Sequence, residues 1–259
     1  MYRRVIRASV ERVWENVLDW EHLPWLHASS FGDIECLEAG QWGWRARVVG
    51  RGASAAAMKI ELLVDLPASR YVTRTLEGPG AGSEIWTTLA PQGERETAIE
   101  VDFRLAVLDP EHAEGLGNAY RQLYERLWDE DEGMMQERQR QLDARRAMPG
   151  KSSETRSLGK LDEVREKLPL SFELAGRRFR LVDCDGELMA HAVTCPHSLG
   201  PLDDAVVEDG VVRCPWHGYR YDLRSGRACD RAGLRLERAP RVEIHENTRE
   251  VHVAWAATG

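Results

Sequence analysis

The sequence predicts an α+β fold in two domains, and three observations predict it. Apolar residues recur with helical period in two places, a short stretch near residue 10 and a long one over 111–146. Between them, and again from about 165 to the end, the period falls to two, the mark of half-buried strands. Runs of Gly and Pro separate these stretches and supply the turns. The order is therefore strand, broken helix, antiparallel meander and long helix, then a second domain of strands alone. At 259 residues, 42% hydrophobic and 30% charged, the chain can fill two ordinary cores. We place the first domain at 1–147, a linker at 148–164 and the second domain at 165–259.

Each element has a local cause. Residues 2–8 alternate, and Ser9 then suits an N-cap for a helix whose apolar face is Val10, Val13, Trp14, Val17 and Leu18. Pro24 interrupts that helix, and His27 follows in a short helical turn. Strands are expected at 43–49, 58–64, 71–76, 83–89 and 97–105. Gly78-Pro79-Gly80-Ala81-Gly82 lacks the helix and Lys of a phosphate loop and reads as a hairpin turn. Along 111–146, Leu116, Tyr120, Leu123, Tyr124, Leu127, Trp128, Met134, Met135 and Leu142 form one stripe. Residues 148–155 have linker composition, and a short helix over 159–167 follows. The second domain is expected to hold strands at 171–174, 177–183, 187–194, 205–213, 219–222, 241–245 and 250–255.

Charge and composition exclude some functions. A net charge of −8 argues against nucleic acid as the main partner. No apolar run approaches the roughly 18 residues that would span a membrane, and the first residues lack a signal-peptide core. Besides Cys195 and Cys214, the remaining Cys36, Cys184 and Cys229 make no even set for disulfides, so a reducing cytoplasm is expected.

Two short clusters carry the chemistry of the second domain: Cys195-Pro196-His197-Ser198-Leu199-Gly200 and Cys214-Pro215-Trp216-His217-Gly218. Each offers one thiolate and one imidazole. Zinc also accepts two Cys and two His, but zinc fingers pair Cys with Cys and His with His along the chain. A [2Fe-2S] cluster with two Cys on one iron and two His on the other needs mixed loops, because each loop must serve both irons. Pro196, Pro215, Gly200 and Gly218 suit tight turns around such a group. The two motifs resemble the Rieske family, which implies that Cys195 and Cys214 hold the inner iron and His197 and His217 the outer one. High-potential members of that family bridge the loops with a disulfide, where this chain has Pro201 and Trp216. They also carry a Ser where this chain has Tyr219. The resemblance thus implies a low potential, with fewer hydrogen bonds to the sulfurs.

A second constellation lies at the end of the first helix, Asp19-Trp20-Glu21-His22-Leu23-Pro24-Trp25-Leu26-His27. At 100° per residue, Asp131 is the acid nearest the centre of the apolar stripe on the long helix, with Asp129 on the far side and Glu130 and Glu132 flanking. A carboxylate there is costly unless something pairs with it. Ordinary packing is the alternative: His22 on the surface, His27 bonded to a backbone carbonyl, and Asp131 paired with Arg138. The element order of 1–147 resembles the START-like helix-grip fold, in which a curved sheet wraps a long helix around a pocket. The Asp19, His22 and His27 spacing is similar to that of Rieske non-heme iron oxygenases, and Glu130-Asp131-Glu132-Gly133 is similar to their acid-rich segment. That resemblance implies mononuclear Fe(II) on His22, His27 and Asp131, with Asp19 as the electron bridge. The domain order here is the reverse of the oxygenases'.

The resemblance further implies a Rieske mono- or dioxygenase that takes electrons from a flavin-dependent reductase or a ferredoxin. It would use O₂ on a small organic substrate, hydrophobic or aromatic, and assemble as a homo-oligomer such as a trimer. Trp25, Phe31, Trp42, Trp44 and Trp86 are candidate pocket walls. The alternative is a Rieske electron-transfer or redox-sensing protein with a metal-free ligand-binding domain. A third reading has the first domain working by acid–base chemistry on His or Asp. The other histidines show no ligand spacing and read as structural.

Overall fold

The computed structural model describes residues 1–52, 55–106, 110–147 and 154–255. They fall into two compact units, Met1–Gln136 and Glu137–Gly259.

The first unit opens with β1 (Tyr2–Ile6) and α1 (Val10–Leu18), where the Ser9 hydroxyl accepts from the Arg12 amide as an N-cap does. A 3-10 turn, Trp20–His22, and α2 (Leu23–Leu26) follow, with Pro24 in the first turn of α2, where a missing N–H costs nothing. The meander is β2 (Phe31–Gly40), β3 (Gly43–Gly50), β4 (Ala57–Asp65), β5 (Arg70–Glu77), β6 (Glu84–Gly93) and β7 (Glu96–Arg104). These form one antiparallel sheet in the order β1-β7-β6-β5-β4-β3-β2. β1 is out of sequence in this order, lying at the far edge beside β7. The helix α3 (Ala113–Ala147) closes the element series. Trp128 and Met135 from α3 join Ile6, Val13, Val17, Trp44, Ala46, Leu62, Leu89 and Ile99 in one core. This is the helix-grip architecture expected for the domain.

The division between units comes inside α3 rather than after its end. Gln141, in the last turns of the helix, accepts a hydrogen bond from Thr194 of the second unit at 3.3 Å. Residues 148–153 of the expected linker lie outside the described residues. The rest of it, expected as linker and the start of a helix, contains strand β8 (Glu154–Lys160), and α4 (Leu161–Glu166) begins one residue later. The physical reason is edge pairing: β8 bonds to β16 (Glu250–Trp255) along its whole length, a contact no local pattern announces.

The second unit continues with β9 (Leu170–Leu174), β10 (Arg177–Cys184), β11 (Glu187–Ala192), β12 (Val207–Glu208), β13 (Val211–Arg213), β14 (Arg220–Asp222) and β15 (Arg241–His245). Three small sheets result, β11-β10-β9, β12-β13-β14 and β15-β16-β8. The expected single strand over 205–213 is a short hairpin, because Asp209 and Gly210 both take positive φ and turn the chain. Its core is Phe172, Phe179, Leu181, Leu188, Val251, Val253 and Trp255. Among the described residues, no helix is long and apolar enough to cross a membrane.

Candidate metal centres

The two Cys/His loops of the second unit have the same backbone. In each, the Cys N–H donates to a carbonyl five residues on, Cys195 to Gly200 and Cys214 to Tyr219, both at 2.8 Å. In each, Pro follows the Cys, and the residue four after the Cys is left-handed, Leu199 at φ 64° and Gly218 at φ 68°. Gly200 serves a different purpose from Gly218. A Cβ on it would stand 2.9 Å from the Trp216 ring and 3.1 Å from Cys214 Sγ, so only glycine lets the first loop close over the second.

The paired loops sort sulfur from nitrogen. Cys195 and Cys214 are both 1% exposed and their thiols hydrogen-bond each other. That contact pulls Cys195 down to about 7, while the same contact and burial push Cys214 up. The rings of His197 and His217 meet edge to face with centroids 4.5 Å apart. His217 is buried and His197 half-buried, so His197 is the imidazole nearer solvent. Adjoining thiols and adjoining imidazoles, one of each per loop, fit a group with one sulfur-bound and one nitrogen-bound iron. Tyr221, fully buried on β14, brings its hydroxyl 3.2 Å from Cys195 Sγ. The sequence reading missed this donor, whose only signal is its place on the strand leaving the second loop. Tyr219 instead packs its ring against His197 at 4.6 Å.

In the first unit, α1, the turn after it and α3 bring the other predicted residues together. One donor atom from each of His22, His27 and Asp131 lies within 4.8 Å of the others, and all three residues are buried. Asp131 Oδ1 is the focus, 3.1 Å from His27 Nε2 and 3.5 Å from His22 Nε2. The Asn16 amide also donates to it at 2.9 Å. His27 Nδ1 faces Glu130 Oε2 at 2.6 Å, and His22 Nδ1 lies 3.9 Å from Asp19 Oδ2. Burial opposes charge on His27, but the Asp131 and Glu130 carboxylates outweigh it and raise its pKa. Burial likewise opposes the Asp131 carboxylate, and the hydrogen bonds from His27 and Asn16 together with the charges of His27 and His22 outweigh it and hold the pKa low.

Asp129 faces solvent, as the helical period predicts, but Glu132 is as buried as Asp131. Two arginines of the N-terminal strand region, Arg4 and Arg7, pair with it. Sequence reasoning also missed Asn16 and Glu130 as partners. Asn16 had a signal, since Asn is a poor helix former and sits beside Val13 and Val17 on the apolar face.

The three residues stand at the wall of a cavity of about 130 Å³. Its remaining walls include Phe31, Trp44, Tyr71, Tyr124 and Trp128. Of the candidate wall residues, Phe31 and Trp44 face it. Trp25, Trp42 and Trp86 are not among its lining; Trp86 instead lies under the guanidinium groups of Arg70 and Arg104. Burial pushes the Tyr71 and Tyr124 phenols up, so both stay protonated.

A family model for the Rieske [2Fe-2S] domain matches residues 155–235. The anthranilate 1,2-dioxygenase ferredoxin subunit of Burkholderia cepacia is 37% identical over 78 residues, 29% of this chain and 68% of that protein. Apoptosis-inducing factor 3 of Mus musculus is 40% identical over 62 residues, 24% of this chain and 10% of that protein. The chain thus spans about a tenth of the length of the latter and about two thirds of the former. Among solved structures, a START superfamily protein from Mycobacterium smegmatis overlays 52% of this chain and 94% of its own, with 20% identity and a TM-score of 0.43.

Proposed function

The chain belongs to the Rieske [2Fe-2S] family through its second domain, and from that premise we propose that it is an oxygenase-type enzyme. Electrons from a separate flavin-dependent reductase or ferredoxin would serve O₂-dependent hydroxylation, dihydroxylation or demethylation of a small hydrophobic or aromatic substrate. The observation that carries the reading is the convergence of two imidazoles and one carboxylate, all buried, on an apolar cavity. That donor set, with positions left open, suits non-heme Fe(II).

When bound, a [2Fe-2S] group on Cys195, His197, Cys214 and His217 supplies single electrons, and Fe(II) on His22, His27 and Asp131 supplies O₂ activation. The chain's own residues do the rest. Glu130 accepts a hydrogen bond from His27 Nδ1–H, which leaves Nε2 toward Asp131. Asp19 Oδ2 stands 3.9 Å from His22 Nδ1, and we assign it the electron bridge. Asn16 fixes the Asp131 rotamer, and the aromatic walls exclude water and position the substrate. Assembly as a homo-oligomer belongs to the same proposal.

One observation favours a second reading. Both ring nitrogens of His27 face carboxylates, so the buried Asp131 is compensated without a metal. A Rieske electron carrier joined to a metal-free ligand-binding domain fits that pairing, and the Burkholderia relative is a ferredoxin subunit.

Iron and sulfide counts on anaerobically purified protein loaded with Fe(II) separate the two. Three irons per two sulfides, the third lost in His22→Ala while the reduced cluster's EPR signal survives, is the expected result. Two irons per two sulfides with no uptake of added Fe(II) would refute the oxygenase reading and leave the electron carrier.

A further inference from the structure

Arginine is the commonest residue between Arg220 and Arg241 and outnumbers Asp and Glu together there, in a chain whose net charge is −8. Other arginines of the second unit find carboxylates: Arg165 with Asp183 at 2.9 Å, Arg178 with Asp203 at 3.5 Å, Arg220 with Asp230 at 2.5 Å, and Arg249 with Asp162 at 3.2 Å. Arg235, Arg238 and Arg241 have no carboxylate partner among the described residues. They recur every third residue along a segment that ends in Pro240 and Arg241, the spacing that puts side chains on one side of a three-fold extended chain. All three line one groove of about 610 Å³, beside β11 and the loop after β14.

The wall of this groove is built rather than loose. The Leu236 N–H donates to the Gly226 carbonyl at 2.8 Å, and Arg227 bridges to Arg235. Gly226 is left-handed, and a Cβ on it would touch the Arg235 guanidine at 3.5 Å. Two acids of the groove are already engaged, Glu187 by Arg224 and Glu237 by Arg177, which leaves Glu243 against three arginines. His191, 2% exposed, lines the same groove. Its Nδ1–H donates to the Ala192 carbonyl at 3.0 Å, and its Nε2 acceptor has no partner among the described residues.

We propose that this groove is a binding site for a small polyanion, a molecule carrying two or more phosphate or carboxylate groups. Like charges held together on a fixed segment repel one another, and a multivalent anion relieves that repulsion with charge-assisted, often bidentate bonds. The volume falls in the range of small-molecule sites, which run from about 300 to 1,000 Å³.

Calorimetric titration of the cluster-loaded full chain with pyrophosphate and with citrate tests this. Saturable one-to-one binding of at least one of them is expected, weakened about tenfold or more in Arg235→Gln/Arg238→Gln/Arg241→Gln, with the cluster's visible and EPR spectra unchanged. Arg47→Gln, which removes an exposed arginine of the first unit paired with Glu35, is expected to bind as the parent does. Preference for pyrophosphate would point to a phosphate-bearing ligand, preference for citrate to a polycarboxylate. No saturable binding of either, equal affinity in the triple variant, or equal loss in Arg47→Gln would overturn the proposal. Folding of the triple variant is read independently from its iron and sulfide content.

Discussion

Tyr221→Phe is expected to lower the reduction potential of the cluster. The hydroxyl lies 3.2 Å from Cys195 Sγ, on a fully buried side chain that burial keeps protonated, so toward a metal-bound thiolate it is the donor. Reduction adds negative charge to the group the sulfur serves, and the hydrogen bond is stronger in the reduced state. Phe keeps the ring and its packing and removes only the donor. If the bond is worth about 1 kcal/mol more in the reduced state, a one-electron couple shifts by about 40 mV, since a tenfold change in its equilibrium is 59 mV. The assay is a dye-mediated redox titration followed by EPR, on parent and variant with equal iron and sulfide. The expectation of a low potential rested on the missing loop disulfide, at Pro201 and Trp216, and on Tyr219 in place of a Ser donor; Tyr221 is a further donor beside Cys195. An unchanged or raised potential in a fully loaded variant would refute the donor role.

Other perturbations have defined outcomes. Gly200→Ala forces a Cβ to 2.9 Å from the Trp216 ring, so the loops cannot close as they do, and the purified variant is expected to carry less than half the parent's cluster iron. Glu130→Gln removes the charge that orients His27; on the oxygenase reading, Fe(II) affinity falls about tenfold in an anaerobic titration while the cluster signal is untouched. Glu132→Gln is expected to cost about 2 kcal/mol of stability at neutral pH, read from urea unfolding. Burial raises the Glu132 pKa, and its bonds to Arg7, with the nearby Arg4, outweigh this and depress it. A depressed carboxylate stabilises the fold above its unfolded pKa and stops doing so as pH falls through its folded one. The gap between parent and variant should therefore close on acidification below about pH 4, and a gap that widens would contradict the assignment.

The fold was legible where one residue's period decided the matter. The meander, the long helix and Ser9 as a cap follow from spacing alone, because each buries a face against whatever lies opposite. What spacing could not supply was pairing between distant segments: β8 lies against β16, nearly a hundred residues later, and its sequence differs little from the linker before it. The hairpin hidden in 205–213 shows the opposite failure. Its Asp209-Gly210 turn is a strong local signal, but the apolar residues on either side suggest one strand.

At the first-unit site, the helical period selected Asp131 and the structure puts Asp131 Oδ1 at the meeting point of Asn16, His22 and His27. The same period ranked Glu130 and Glu132 as equals on its flanks, and there it lost information, because a flank is defined by what packs on it. Glu132 faces Arg4 and Arg7 and becomes a buried structural ion pair. Glu130 faces His27 Nδ1 and becomes part of the site. Two residues with one charge and mirror-image positions on a helix thus take different roles, and what separates them is which element arrives on each side. A helical wheel gives the direction of a side chain, whereas the partner waiting there is a property of the topology.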